Sequence, residues 1–278
     1  MKPRDAFRRV SLIAATEVAR LGSGLARRAL AWAQAHLTTD DALAMTDRYF
    51  RRTATYRQRW HAELGLFDFE RAAIDTHFPK PPSRLLVLGM GGGRDGKALQ
   101  ERGYEVDGCE PVQALAGRAQ QELGAGAEVI VCRAEDLDVR GVLAGPYAGV
   151  VFGWGAWSHL FTADARRAAL VAARRRVPLG APLLLSWPAA PVAGLRNGAR
   201  GTLDMRRGGA QRSGVVETGV LHGWRLQTGG IVHLVYSRED LELEAAATGW
   251  RTVDVQGSES GYPHAVLTAM EMPDAVRG

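Results

Sequence analysis

About a third of the way along, the chain carries the run Leu85-Leu86-Val87-Leu88-Gly89-Met90-Gly91-Gly92-Gly93. The apolar residues read as a buried strand, and the glycines permit unusual backbone angles and close approach of a ligand to the main chain. Seventeen residues past Gly93 the next apolar run ends at Glu110. A carboxylate at the carboxyl tip of a strand can accept hydrogen bonds from both hydroxyls of a ribose. A glycine turn beside such an acid makes a nucleoside pocket. Gly91, Gly93 and Gly96 also satisfy G-x-G-x-x-G, but a lone match to that dinucleotide pattern is weak. The strand runs straight into Gly89, so Gly89, Gly91 and Gly93 form the tight turn and Arg94 falls where the dinucleotide fold wants its third glycine. No Tyr-x-x-x-Lys pair follows downstream.

These residues need a sheet to hold them. After Pro82, short apolar runs alternate with helical segments, the pattern of a parallel sheet covered on both faces. Strands are expected at Leu85 to Leu88, Glu105 to Cys109, Glu128 to Cys132, Gly149 to Phe152 and Pro182 to Ser186. Helices are expected near Asp95 to Arg102, Val112 to Leu123 and Thr162 to Arg175. The fold class is therefore α/β, a doubly wound Rossmann-like sheet. Between Pro188 and Gly230 lie ten glycines and a set of arginines, Arg196, Arg200, Arg206, Arg207 and Arg212. This predicts a long loop with a hairpin, pairing Val215 to Leu221 with Ile231 to Tyr236. Ser237 and Asp240 have capping-box spacing for a helix that Gly249 closes, followed by strands at Arg251 to Gln256 and Ala265 to Met270.

Before the sheet, Val10, Ile13, Leu21, Leu25, Leu30 and Trp32 recur at helical intervals from Arg8 to Leu37, and a second helical stretch runs from Asp40 to about Phe78. Pro79, Pro81 and Pro82 then form a stiff connector. The division expected is a helical extension, residues 1–82, and a sheet domain, residues 83–278, with 188–236 as an insertion.

Composition narrows the function classes. The 278 residues are 46% hydrophobic and 23% charged, an ordinary globular balance. The net charge of +5 sits at the front, where residues 1–60 hold 12 Lys or Arg against 5 Asp or Glu. Nucleic-acid binders usually show basic stripes with interleaved aromatics, so nucleic acid is not the expected partner. Cys109 and Cys132 cannot build a disulfide framework or a thiolate zinc site, and the histidines lack metal-ligand spacing, so no metal is expected. No apolar run reaches the roughly 20 residues of a membrane span, and the expected location is the cytoplasm.

The glycine run Gly89 to Gly93, Glu110, Ala134-Glu135-Asp136-Leu137 and the segment Val150 to Leu160 together resemble the motifs of class I S-adenosylmethionine-dependent methyltransferases. The resemblance covers roughly residues 83–270. It implies a seven-stranded sheet with the last strand antiparallel, S-adenosyl-L-methionine as cofactor, a small-molecule acceptor and O- or N-methylation, with the preceding helices as a lid. Carried across by position, Gly89, Gly91 and Gly93 back the methionine part of the cofactor, with Met90 and Pro111 counted among the cofactor-binding residues. Glu110 holds the ribose, Ala134 and Glu135 border the adenine, and the stretch Gly153-Trp154-Gly155 floors the site. The chain departs from the family at Val87, where an acid is usual, and at Arg133, where Asp or Asn is frequent.

Methyl transfer asks the protein to align donor and acceptor and exclude water, with a base only for some acceptors. On position His159 is the base candidate, against a histidine merely bonded to backbone. Trp157 and Trp154 are placed to meet a flat acceptor or the sulfonium, against core packing. Tyr56 and Trp60, with His61, are acceptor-side candidates that also read as a packing stripe, and His264 precedes the final strand. Arg174, Arg175 and Arg176 read as structural, at a helix C-terminus. Two alternatives stay open: an NAD(P)-dependent oxidoreductase reading Glu110 as its ribose acid, and a non-catalytic cofactor-binding module.

Overall fold

The computed structural model describes Ala14 and residues 38–53, 56, 58–187, 216–217, 220–221, 223–226, 232–235, 238–257 and 263–276. Apart from Ala14, the helix expected from Arg8 to Leu37 lies outside the described residues, as do the cap at Ser237 and the arginines named in the insertion. The chain resolves into two compact units, residues 1–52 with 188–236 and residues 53–187 with 237–278.

In the first unit, helix α1 spans Thr39–Arg52. Thr38 opens it: its hydroxyl donates to Asp41 Oδ2 at 2.7 Å and accepts the Asp41 N–H at 3.3 Å, while its own N–H donates to the same carboxylate at 3.2 Å. That reciprocal pattern is a capping box with Asp in place of Glu. The single hairpin expected in the insertion is two. Val216–Glu217 (β6) pairs with Val220–Leu221 (β7), and Gly223–Leu226 (β8) with Val232–Val235 (β9). Glu217 faces Val220 with only Thr218 and Gly219 between them, the length of a tight hairpin connection, so this apolar run folds back on itself.

The second unit is built on a seven-stranded sheet. Its elements are, in order, α2 (Arg59–Ala62), α3 (Asp68–His77), β1 (Arg84–Leu88), α4 (Arg94–Glu101), β2 (Glu105–Cys109), α5 (Gln113–Leu123) and β3 (Val129–Ile130). Then come α6 (Leu137–Arg140), β4 (Gly149–Phe152), α7 (Ala163–Arg175), β5 (Pro182–Ser186), α8 (Arg238–Ala247), β10 (Trp250–Gln256) and β11 (His264–Ala269). The strand order is β10-β11-β5-β4-β1-β2-β3. The first five of these strands in the chain run parallel, and β11 inserts antiparallel between β5 and β10. This is the doubly wound sheet with an antiparallel last strand that the motifs implied.

Both faces of the central strands are buried, which explains their unbroken apolar runs. One face sets Leu85, Val87, Val106, Val151, Leu184 and Val266 in one core with Ile74 and Phe78 of the preceding segment. That packing carries a correction. Residues 53–82, expected to belong with the N-terminal helices, join the sheet unit, because α3 lends Ala73 and Ile74 to its core. Gly149 opens β4 without a side chain where a Cβ would lie 2.8 Å from the Phe78 ring. Across the sheet, the Trp250 indole donates to Leu170 O at 3.0 Å, and Arg166, 0% exposed, grips Glu244 of α8 through contacts of 2.7 to 3.0 Å. The arginines at the end of α7 are structural as expected: Arg174 donates to Met270 O and Val177 O, and Arg176 to Leu143 O and Ala172 O.

Candidate functional site at the carboxyl edge of the sheet

β1 and β2 end in register, Leu88 opposite Cys109, so the glycine turn after one lies against the tip of the other. The N–H groups of Gly89 and Met90 both donate to Cys109 O, at 3.0 Å each. The Gly91 N–H donates to Glu110 Oε2 at 2.9 Å, and the Val112 N–H to Glu110 Oε1 at 2.9 Å. The acid is 6% exposed and tied to the turn by its own side chain. Gly91 has φ +57°, and a Cβ there would meet nothing within 4 Å, so the turn opens onto space at that point. A side chain would be strained in this backbone region and would project into that space.

β4 delivers the opposite wall. The Gly153 N–H donates to Leu88 O at 2.8 Å, and a Cβ at Gly153 would lie 2.2 Å from Gly89 O. Only glycine lets the two main chains come this close. Trp154 is half-buried, and its N–H donates to Asp95 Oδ2 at 3.3 Å. On the far side, the Glu110 N–H donates to Ile130 O at 3.1 Å, which brings the end of β3 beside the acid. Ala134 and Glu135 begin a single 3-10 turn, Ala134–Asp136, just beyond. Gly89, Gly91, Gly93, Glu110, Gly153 and Trp154 thus lie together at the carboxyl edge of the sheet, where the ligand crevice lies in open α/β sheets.

Other expected residues fall differently. Met90 turns its side chain inward, 2% exposed, with its Cε 2.4 Å from where a Gly108 Cβ would stand; only its backbone belongs to the turn. Val87 lies in the core. Trp157 is 0% exposed with its ring 5.2 Å from Phe152, so packing, not acceptor contact, accounts for it. His159 ends the turn Ala156–His159, half-buried, 6.2 Å from the Phe161 ring. Tyr56 lays its carbonyl against Gly92, where a Cβ would be 2.0 Å away, and its ring meets His61 at 4.9 Å. The side chain of Trp60 lies outside the described residues. Pro111 is half-buried behind Glu110. His264 is buried and stacks on Phe69.

The structure adds a buried charge cluster. Arg94 donates to Glu70 Oε1 at 2.7 Å, to Glu70 Oε2 at 3.0 Å and to Gly65 O at 2.8 Å, and it also pairs with Asp95. Its guanidinium stands 4.2 Å from the Phe67 ring centroid. Glu70 accepts the Phe67 N–H at 2.8 Å at the start of α3. Burial and then the neighbouring Asp95 push the Glu70 carboxyl up to about 7, against the pull of Arg94. Burial, then Arg94, lowers His61. The one signal for this cluster in the chain was an arginine directly after a glycine turn, a place that is buried once a ligand crevice forms around it.

No family model matches the chain, and no curated protein matches it. Solved structures do. The 1,6-didemethyltoxoflavin-N1-methyltransferase of Burkholderia thailandensis, crystallised with 1,6-didemethyltoxoflavin and S-adenosylhomocysteine, superposes at TM-score 0.58 and 15% identity over 84% of this chain and 92% of that one. An amino pentose methyltransferase of calicheamicin biosynthesis from Micromonospora echinaspora, bound to S-adenosylmethionine, gives 0.50 and 20% over 86% and 95%. A glycopeptide N-methyltransferase with S-adenosylhomocysteine gives 0.53 and 16% over 72% and 87%. Strand order, the antiparallel last strand and these superpositions agree: the chain has the class I methyltransferase fold.

Proposed function

We propose that the chain transfers a methyl group from S-adenosyl-L-methionine to a small-molecule acceptor. The observation that carries this reading is the tether between Glu110 and Gly91, which fixes a carboxylate at the mouth of the glycine turn in this sheet order. A carboxylate at a strand tip, with about four lone-pair sites, is a group that can accept hydrogen bonds from ribose hydroxyls. The donor set fits an adenosyl ligand. The main chain from Gly89 to Gly93 backs its amino-acid end, Glu110 and Pro111 its ribose, Ala134 and Glu135 its adenine, and Gly153 with Trp154 the floor.

S-adenosylmethionine, when bound, supplies an electrophilic methyl on a sulfonium whose departing sulfur is a neutral thioether. The chain's own part is alignment and the exclusion of water. Trp154 is a half-buried aromatic at this edge, a ring type that attracts cations. His159, at the end of the turn that follows Trp154, is the base on position for an acceptor that must lose a proton. A small acceptor is supported by the solved neighbours, methyltransferases of 1,6-didemethyltoxoflavin, an amino pentose and a glycopeptide. Two free, buried cysteines and no described helix long and apolar enough to cross a membrane support a cytoplasmic setting.

Titration settles the choice of cofactor. With S-adenosylhomocysteine at 100 times its Kd, linkage stabilises the fold by about 2.7 kcal/mol and raises the melting temperature, whereas NAD leaves it unmoved. A shift with NAD alone would overturn the reading.

A further inference from the structure

β11 starts at His264, which pairs with Ser186, the last residue of β5. Its ring therefore stands at the edge of the sheet that carries the glycine turn, and the Ser186 hydroxyl there accepts the Gly155 N–H at 3.2 Å. From His264 a row of rings leads back to the crevice. His264 stacks on Phe69 with centroids 4.7 Å apart and planes at 30°. Phe69 stacks on Phe67 at 6.1 Å and 18°, and Phe67 meets Trp154 edge-on at 5.0 Å. Phe67, Phe69 and Trp154 are half-buried, while His264 is 4% exposed.

Packing does not explain a histidine at the end of this row. A phenylalanine would stack on Phe69 as well and would desolvate no polar atom. Instead the Nδ1 of His264 is buried and has no hydrogen-bond partner among the described residues. A buried polar atom without a partner is uncommon in native proteins and calls for a water, an ion or a ligand. Burial lowers the pKa of His264, opposed by Asp254, whose carboxylate is itself 3.5 Å from His77 Nε2. The imidazole is thus neutral near neutral pH, with one nitrogen able to accept a hydrogen bond.

We infer that Trp154, Phe67, Phe69 and His264 form the acceptor wall, and that the acceptor is a flat aromatic or heteroaromatic molecule whose O–H or N–H donates to His264 Nδ1. The inference takes from the proposed function only that a second ligand binds here; the rings supply its shape and the unmatched nitrogen its polar group.

Two probes isolate the nitrogen: 7-hydroxycoumarin, flat with an ionisable hydroxyl, and coumarin, flat without it. Calorimetry on the full chain, with and without saturating S-adenosylhomocysteine, is expected to show 7-hydroxycoumarin binding about tenfold tighter than coumarin. His264→Phe keeps the stack and removes the nitrogen, so it should abolish that preference and leave the affinities for coumarin and S-adenosylhomocysteine in place. His264→Asn, with an amide near the Nδ1 position, should restore part of it. Phe69→Leu should weaken both probes alike. Absence of saturable binding to the wild-type chain, or a preference that survives His264→Phe, overturns the inference. Failure of S-adenosylhomocysteine alone to bind overturns the methyl-transfer reading, and the probe preference measured without it still decides the role of His264.

Discussion

Glu110 holds the Gly91 and Val112 N–H groups with one carboxylate, and in the function proposed above the same carboxylate receives the ribose. Glu110→Ala should weaken S-adenosylhomocysteine binding by roughly tenfold or more, since a hydrogen bond to a charged group contributes about 1.5 to 3 kcal/mol. An unchanged calorimetric Kd would remove Glu110 from the site. This residue was legible in the chain because strand tip and acid are local features. Trp157 was not. Its distance from Trp154 in sequence is short, but the chain between them leaves one residue half-buried and puts the other in the core against Phe152. Phe67 and Phe69 escaped notice for a related reason. Two aromatics around a helix start look like packing until Trp154 and His264, distant in sequence, arrive beside them.

At the scale of elements, α3 and the glycine turn are held together by Arg94, and the charges involved are almost fully enclosed, with side chains of Arg94 and Glu70 each 4% exposed. Arg94→Met would leave two buried carboxylates, Glu70 and Asp95, without their cation. A loss of about 3 to 5 kcal/mol in urea unfolding is expected. Glu70 adds a pH dependence whose sign follows from its raised pKa. From its ordinary 4.5 up to about 7, the folded state keeps a proton that the unfolded chain has released. That contribution is complete below 4.5 and fades as pH rises through about 7. Glu70→Gln, which cannot titrate, should therefore show a flatter stability between about pH 5 and 8 than the wild type. A wild-type profile parallel to that of the variant would show that Glu70 is ionised throughout. None of this was readable from helix propensity, because the cluster exists only once α3 packs beside α4.

For the whole molecule, period and punctuation gave the parallel strands nearly to the residue: Glu105–Cys109, Gly149–Phe152 and Pro182–Ser186 stand where the apolar runs placed them. The edge strand β3 shrank to Val129–Ile130, since half-buried residues at a margin gain less from pairing than those at the centre. The hairpins of the insertion were misread because several short apolar runs offered competing partners, and only turn length chose between them. The same gradient predicts hydrogen exchange. Amides of Val87, Val151 and Leu184, central and buried, should be the slowest, and those of β3 faster by at least an order of magnitude. Equal protection across the sheet would show that it opens only as one body.

The clamp of Arg94 on Gly65 and Glu70 also bears on how this protein can be dissected. The proline connector at residues 79–82 invites a cut, yet a fragment starting at Ser83 would lose the carboxylate that faces Arg94 together with Ile74 and Phe78. Domain swaps and minimal expression segments should instead be joined near Thr53. Cut there, the glycine turn keeps the stretch of backbone that grips the arginine following it.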